Sequence, residues 1–326
     1  MTGFKKALTV LLCGFSLAAA VAAPAQASPE YPAYPHKTVT LITSSNPGGG
    51  GDVFLRQITK VLGPKWGINF IVESVAGSGG ANAMRHIVDG PKDGTLFYGV
   101  STQHILVSLL SNPPYKYTDL QPVANLIYDA PVMFVRKDSP IKSLGDLMAK
   151  MKAEPGKVKY GVGTAAASDR VVAETLKKQL GLDFVIATHD SGGANLMSLL
   201  GGAVDVSTGD VAEIRQHIDS GEVRTIASLT PERLTTMPDL PTAREQGADM
   251  ILTRFRGIVG AKGLPAEIIS AWEVAIKNLL DEPEYKEIIK QNSMIPAYLN
   301  SKDFDRVTNE LAADHDRFFK EVGLKK

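Results

Sequence analysis

Five times in its first two hundred residues the chain runs from a short, apolar, β-branched stretch into a turn rich in glycine or hydroxyl side chains, and then into a helix-periodic segment. Thr38–Thr43 leads to Pro47-Gly48-Gly49-Gly50-Gly51-Asp52 and a helix over 53–62. Residues 69–75 lead to Gly77-Ser78-Gly79-Gly80 and a helix from about Ala81. Residues 95–100 lead to Ser101-Thr102-Gln103, 157–162 to the turn 163–168, and 184–188 to Asp190-Ser191-Gly192-Gly193. Short strands bounded by glycine and alternating with helices predict doubly wound parallel sheets. The last part of the chain (265–280, 283–291, 301–322) reads as mostly helical, with Pro265 and Pro283 suited to first turns.

A near-repeat marks two of these turns. Ser78-Gly79-Gly80-Ala81-Asn82-Ala83-Met84 matches Ser191-Gly192-Gly193-Ala194-Asn195-Leu196-Met197 at six of seven positions. Glycine lets backbone come close to a ligand, and the first-turn N–H groups of a helix are unpaired. Such ends attract anions by roughly 0.3–1 kcal/mol each. In open α/β sheets, ligands bind beyond the carboxyl ends of the strands, where these turns fall. Many N–H and hydroxyl donors with few formal cations suit a small carboxylate, whose burial requires its oxygens to be hydrogen-bonded. They also suit a plain structural turn, which glycine-rich strand-to-helix junctions often are. No G-x-x-x-x-G-K-[ST] is present, and Gly77–Asn82 lacks the third glycine of the dinucleotide pattern.

Composition narrows the classes. The 326 residues carry 35 basic and 35 acidic side chains, without the basic excess a nucleic-acid binder uses against phosphates. The length favours two lobes over one. Lys5 and Lys6 precede an uncharged apolar run and the small-x-small triplet Ala25-Gln26-Ala27, the pattern of a cleaved export signal over residues 1–27. Cleavage there removes Cys13, so the mature chain is expected to be thiol-free. Cys13 is preceded by Leu12, which argues against a lipoprotein anchor.

The order of motifs resembles one family. A Tyr/Pro-rich start (Tyr31-Pro32-Ala33-Tyr34-Pro35), the PGGGGD turn, the Gly77–Asn82 turn and Pro91-Lys92-Asp93-Gly94-Thr95-Leu96 come first. Asp119-Leu120-Gln121-Pro122-Val123, Tyr160-Gly161, Leu199-Leu200-Gly201-Gly202-Ala203-Val204-Asp205 and Met237-Pro238-Asp239-Leu240-Pro241-Thr242 follow. Together these resemble the periplasmic substrate-binding proteins of tripartite tricarboxylate transporters, the Bug (TctC) family. The resemblance implies a type II periplasmic-binding-protein fold, with two doubly wound α/β lobes, a hinge and an interlobe cleft. Lobe one would hold 36–130 plus 252–326, and lobe two 131–251.

It also implies a site. The first turn would contribute Asn46, Gly48, Gly49 and Gly50, and the second Ser78, Gly79, Gly80 and Asn82. Ser101, Thr102 and Gln103 form the third, and Thr164, Ala165, Ala166 and Ser168 the fourth. Ser191, Gly192 and Gly193 complete the set with Asp210 and Arg256. The expected partners are a small organic carboxylate and membrane permease subunits, with no nucleic acid, cofactor or metal, and the receptor acting as a monomer in the periplasm. Thr253-Arg254-Phe255-Arg256-Gly257 departs from the family's usual Trp-Arg-Gly by its Phe255, and Ser44-Ser45-Asn46 is unusually polar.

Individual charges allow two readings. Arg254 and Arg256 lie two apart on an expected strand and so face one side, where a guanidinium could clamp a second ligand carboxylate or join a surface ion pair. Asp52 and Asp169 suit helix starts better than ligand contacts. Asp190 and Asp210 could meet a water, a ligand amine or a protonated carboxyl. His189-Asp190-Ser191-Gly192-Gly193 echoes a serine-protease run, but in an α/β context where Ser191 opens a helix. The six histidines show no metal-ligand spacing. An enzyme using the same cleft on an anionic substrate, or the receptor of an ATP-driven importer, remain the competing classes.

Overall fold

The computed structural model describes residues 30–325; the leader assigned to 1–27 lies outside that span, as does Lys326. The chain opens with β1 (Thr38–Thr43), α1 (Gly50–Trp66), β2 (Asn69–Ser74), α2 (Ala81–Val88), β3 (Leu96–Ser101), α3 (Gln103–Leu110) and β4 (Leu120–Tyr128). Asp129 and Ala130 then link β4 to β5 (Pro131–Arg136). Next come α4 (Leu144–Ala153), β6 (Lys159–Val162), α5 (Ser168–Leu180) and β7 (Val185–Thr188). They are followed by α6 (Gly192–Leu200), β8 (Val206–Asp210), α7 (Val211–Asp219) and β9 (Val223–Ser228). A long connection returns the chain to β10 (Phe255–Ala261), and α8 (Ala266–Asp281), α9 (Pro283–Gln291), β11 (Ile295–Leu299) and α10 (Ser301–Glu321) end it.

These strands form two sheets, ordered β11-β4-β10-β3-β1-β2 and β7-β6-β8-β5-β9. Neither is purely parallel as the alternation of elements suggested. β1 runs parallel to β2 and β3, and β6 parallel to β7 and β8, but β10 and β5 run antiparallel to both of their neighbours. The reason lies in the crossings. Strands whose carboxyl ends build a cleft run toward it, whereas a strand entering a sheet from the other half runs away from it. β5 and β10 are those two entering strands.

Local chemistry explains α1. Phe54, Leu55, Ile58, Val61 and Leu62 recur at helical spacing and are all buried. Ser45 Oγ accepts the Gly51 N–H (3.1 Å), satisfying one orphan donor of the first turn. Gly67 ends the helix at φ +69°, a left-handed conformation open to glycine.

Trp272 on α8 is the centre of the first core. It is fully buried, with ring centroids 5.2 Å from Trp66, 5.8 Å from Phe70 and 4.7 Å from Phe97. Its Nε1–H donates to Tyr34 Oη (3.1 Å), and Tyr34 donates in turn to the Gly94 carbonyl (2.6 Å). Trp66 donates to the Pro32 carbonyl (2.7 Å), so the Tyr/Pro-rich start is strapped across this core. The second sheet buries Tyr160, Val172, Leu176 and Phe184 on one face and Phe134, Leu199 and Val211 on the other. Trp272→Ala should lower the free energy of unfolding by about 3–5 kcal/mol in denaturant titration, through lost burial and the cavity left behind.

Candidate functional site

Four of the five expected turns meet across the junction of the two sheets, with Gly50 and Gly192 both beside Glu213 and Gln103 bonded to Thr164, whereas the Ser78–Asn82 turn makes its contacts within the first half. β4 passes into β5 through Asp129, and the return crossing runs beside it, because the Asp129 N–H donates to the Arg254 carbonyl (2.8 Å). Contacts join the two halves around this point. Gln103 donates to Thr164 Oγ1 (3.4 Å), and Ala166 packs into the apolar cluster of the first sheet. Arg215 on α7 donates to the Gln291 carbonyl (2.7 Å), Thr236 and Ser293 hydroxyls meet at 2.5 Å, and Lys178 pairs with Glu321.

Each helix start is built differently. Asp52 accepts the Gly48 N–H (3.0 Å), and Arg56 holds its carboxyl below the usual carboxylate range. Asp169 accepts the Gly163 (2.6 Å) and Arg170 (2.9 Å) amides. Both acids therefore tie the loop to its helix, as helix-start residues do. Ser191 caps α6 by accepting the Ala194 N–H (3.1 Å), which leaves the first-turn amides of the exposed Gly192 and Gly193 without intrahelical partners. The near-repeat does not give one shared loop. Gly77, Ser78, Gly79 and Gly80 all take positive φ (110°, 48°, 64° and 112°) in a single 3₁₀ turn, whereas Ser191 is extended and α6 starts at once.

What the copies share is their asparagine. Asn82 donates to the Ala76 carbonyl (3.1 Å) and Asn195 to the Gly161 carbonyl (3.3 Å). Asn46 carries its own turn differently, its carbonyl accepting the Gly49 N–H (2.9 Å). Ser101 Oγ accepts the Gln103 N–H at a long 3.4 Å, and the Ser101 carbonyl accepts from His104 Nδ1 (2.6 Å). Burial presses His104 down to about 4, so the ring is neutral near pH 7. Thr102 Oγ1 accepts the Phe255 N–H (3.3 Å) and is buried beneath the turn rather than presented by it.

Arg256 is bonded to acids of this chain. Its Nε donates to Asp129 (2.6 Å), and its Nη2 donates to Asp210 (3.2 Å) and Glu213 (3.3 Å). Arg254 donates to Ser168 Oγ (2.5 Å) and to the same Asp210 oxygen (2.7 Å). The two-residue spacing did bring both guanidiniums to one side, but onto acids of this chain. Asp129 and Glu213 were not anticipated: Asp129 lies 127 residues from Arg256 and no local motif announces either acid. Burial raises the Asp129 and Asp169 carboxyls, the latter to about 6 against the pull of Arg254.

Among the described residues, no group of three or more His, Cys, Asp or Glu is placed to hold a metal ion, and no helix is long and apolar enough to cross a membrane. His189 Nδ1 contacts the Val162 carbonyl (3.1 Å), away from the capping Ser191.

Residues 54–324 match the model of the tripartite tricarboxylate transporter family receptor, TctC. The chain belongs to that family. It is 27% identical to the UPF0065 protein in the gbd 5'region of Cupriavidus necator, over 94% of this chain and 93% of that one. The periplasmic binding protein BugD superposes with a TM-score of 0.82 at 23% identity, covering 90% of this chain and 100% of BugD. A Rhodopseudomonas palustris protein solved with adipate gives 0.84 at 21% identity, covering 89% and 99%. The two mixed sheets and their double crossing are thus a type II periplasmic-binding-protein fold.

Asp169 gives this family member a pH signature. Between about pH 4, its unfolded value, and about 6, the folded chain holds a proton that the unfolded chain releases. Its contribution to stability therefore falls as pH rises through that window. The stability difference between wild type and Asp169→Asn should decline from about pH 4 to 6 and be flat above, read by urea unfolding across pH.

Proposed function

We propose that this chain is a periplasmic receptor that captures a small organic di- or tricarboxylate by lobe closure and delivers it, chemically unchanged, to the permease of a tripartite tricarboxylate transporter. The observation that carries this reading is the convergence, in a TctC-family chain, of helix starts from both halves on one junction: α1 from the first, where Gly50 lies beside Glu213, and α5 and α6 from the second, where Ser168 meets Arg254 and Gly192 lies beside the same Glu213. Lobe one is taken as 36–130 plus 252–326 and lobe two as 131–251, with Asp129 and Arg254 at the hinge. Amides and hydroxyls of the turns would hold a carboxylate, the first-turn amides of Gly192 and Gly193 among them. A micromolar receptor needs about 8 kcal/mol, within reach of a few charge-assisted bonds and closure. The adipate held by a structural relative is of this ligand class.

A non-catalytic role is supported by the use of the reactive-looking groups. Ser191 serves as a helix cap, and the His189 ring contacts a backbone carbonyl. Export through the 1–27 leader and action as a monomer complete the reading.

Thermal unfolding with a panel of citrate, malate, succinate, adipate and aromatic dicarboxylates tests it. At about a hundredfold excess over Kd, a ligand adds about 2.7 kcal/mol and raises Tm by several degrees. Mass spectrometry should recover that ligand unaltered after prolonged incubation. A panel without any shift rejects the ligand class, and turnover rejects the receptor reading.

A further inference from the structure

Glu213 differs from the other acids at the junction. It is carried by α7 of the second half, yet its Oε1 accepts from Arg256 Nη2 on β10 of the first. Its side chain remains 32% exposed, against 4% for Asp129 and 1% for Asp210. Both of its oxygens lie beside helix starts. A Cβ on Gly50 would fall 2.0 Å from Oε1, and one on Gly192 would fall 3.9 Å from Oε2. The carboxylate thus stands between the starts of α1 and α6, where the far end of a bound molecule must arrive.

The charges around it do not balance. Facing it are Arg256 from β10, Arg254 from the segment before β10, Asp210 from the end of β8, Asp129 from the first crossing and Asp169 from α5. Four carboxyl groups share two guanidiniums. Asp210 Oδ1 is buried without a hydrogen-bond partner.

We propose that Glu213 is a specificity-determining residue of the cleft, requiring a hydrogen-bond donor at the ligand's far end and turning away a second ionised carboxylate. This rests on the carboxylate-receptor reading. A second ionised carboxylate would meet like charge, on an arginine already shared by Asp129, Asp210 and Glu213. One proton removes the conflict by bridging the ligand carboxyl and Glu213, as paired carboxylates share one. Partial withdrawal from water at the helix starts, and then the neighbouring Asp210, raise the Glu213 carboxyl, which favours that proton. A dicarboxylate is therefore bound together with one proton taken from solvent. Its monoamide brings its own N–H donors and takes up none.

Isothermal titration of the mature wild type and Glu213→Gln decides this, with succinate, glutarate and adipate, each beside its monoamide. The titrations run between about pH 5 and 9 in buffers of differing ionisation enthalpy. The wild type should take up close to one proton per dicarboxylate near neutral pH and lose affinity about tenfold per pH unit above the pKa values of the free groups. The monoamide should show neither effect. In Glu213→Gln, proton uptake should vanish and dicarboxylate affinity at about pH 8.5 should rise about tenfold or more, with the monoamide little changed. Dicarboxylate binding by the wild type without proton uptake overturns the inference. So does an equal change for both members of a pair, which marks Glu213 as a clasp between lobes alone. If no probe binds either protein, the receptor reading falls and takes this inference with it.

Discussion

Arg256 is bonded to three separate parts of the chain, and the geometry of the cleft depends on it. Its guanidinium meets Asp129 in the first crossing, Asp210 at the end of β8 and Glu213 on α7, while its backbone lies in β10, directly after the second crossing. A guanidinium is a rigid planar fork, so the position of one acid constrains the others. Buried charges tolerate such an arrangement only when mutually bonded, and removing one partner of a buried pair costs about 3–5 kcal/mol. The first crossing, the start of β10 and the carboxyl end of the central strand β8 therefore hold one another in register. Of its three contacts, the one to Glu213 is the most solvent-exposed.

Gly50 shows how closely the halves meet there. A Cβ at that position would also lie 2.9 Å from Arg256 Nη2, besides its clash with Glu213. A side chain at this position would have to push the Glu213 carboxylate and the Arg256 guanidinium aside. The glycines of the first turn are thus not interchangeable: Gly48 supplies a positive φ of 79°, whereas Gly50 supplies clearance.

Much of this fold was legible in sequence because its signals are local. Thr38–Thr43 and Pro283–Gln291 form the expected elements to the residue, and the glycine turns fall at helix starts. Strand direction was not legible, since β5 and β10 look like any apolar strand and take their direction from the crossing. The near-repeat misled for a related reason. Identical Ser-Gly-Gly triplets take a left-handed 3₁₀ turn after β2 and a regular capped start before α6, because glycine permits both and the surroundings choose. The asparagine that is fifth in each repeat does the same in both copies, its amide tying down a backbone carbonyl. The arginines could be placed on one side, but their partners are 44 and 127 residues distant, and no spacing rule reaches that far.

The balanced charge of the chain takes on a physical meaning at the junction. Two arginines in a cleft invite the reading that cations draw an anion in, but these two are outnumbered by the acids bonded to them or facing them. In the proposed carboxylate receptor, attraction would then have to come from elsewhere. The groups left to supply it would be backbone amides at helix starts and the hydroxyls of the turns, which carry partial charge and a fixed direction. Such donors reward a ligand oxygen placed along their axes and offer little to a charge displaced from them. The arginine cluster, with its surplus of carboxyl groups over guanidiniums, would form the floor against which that placement is judged.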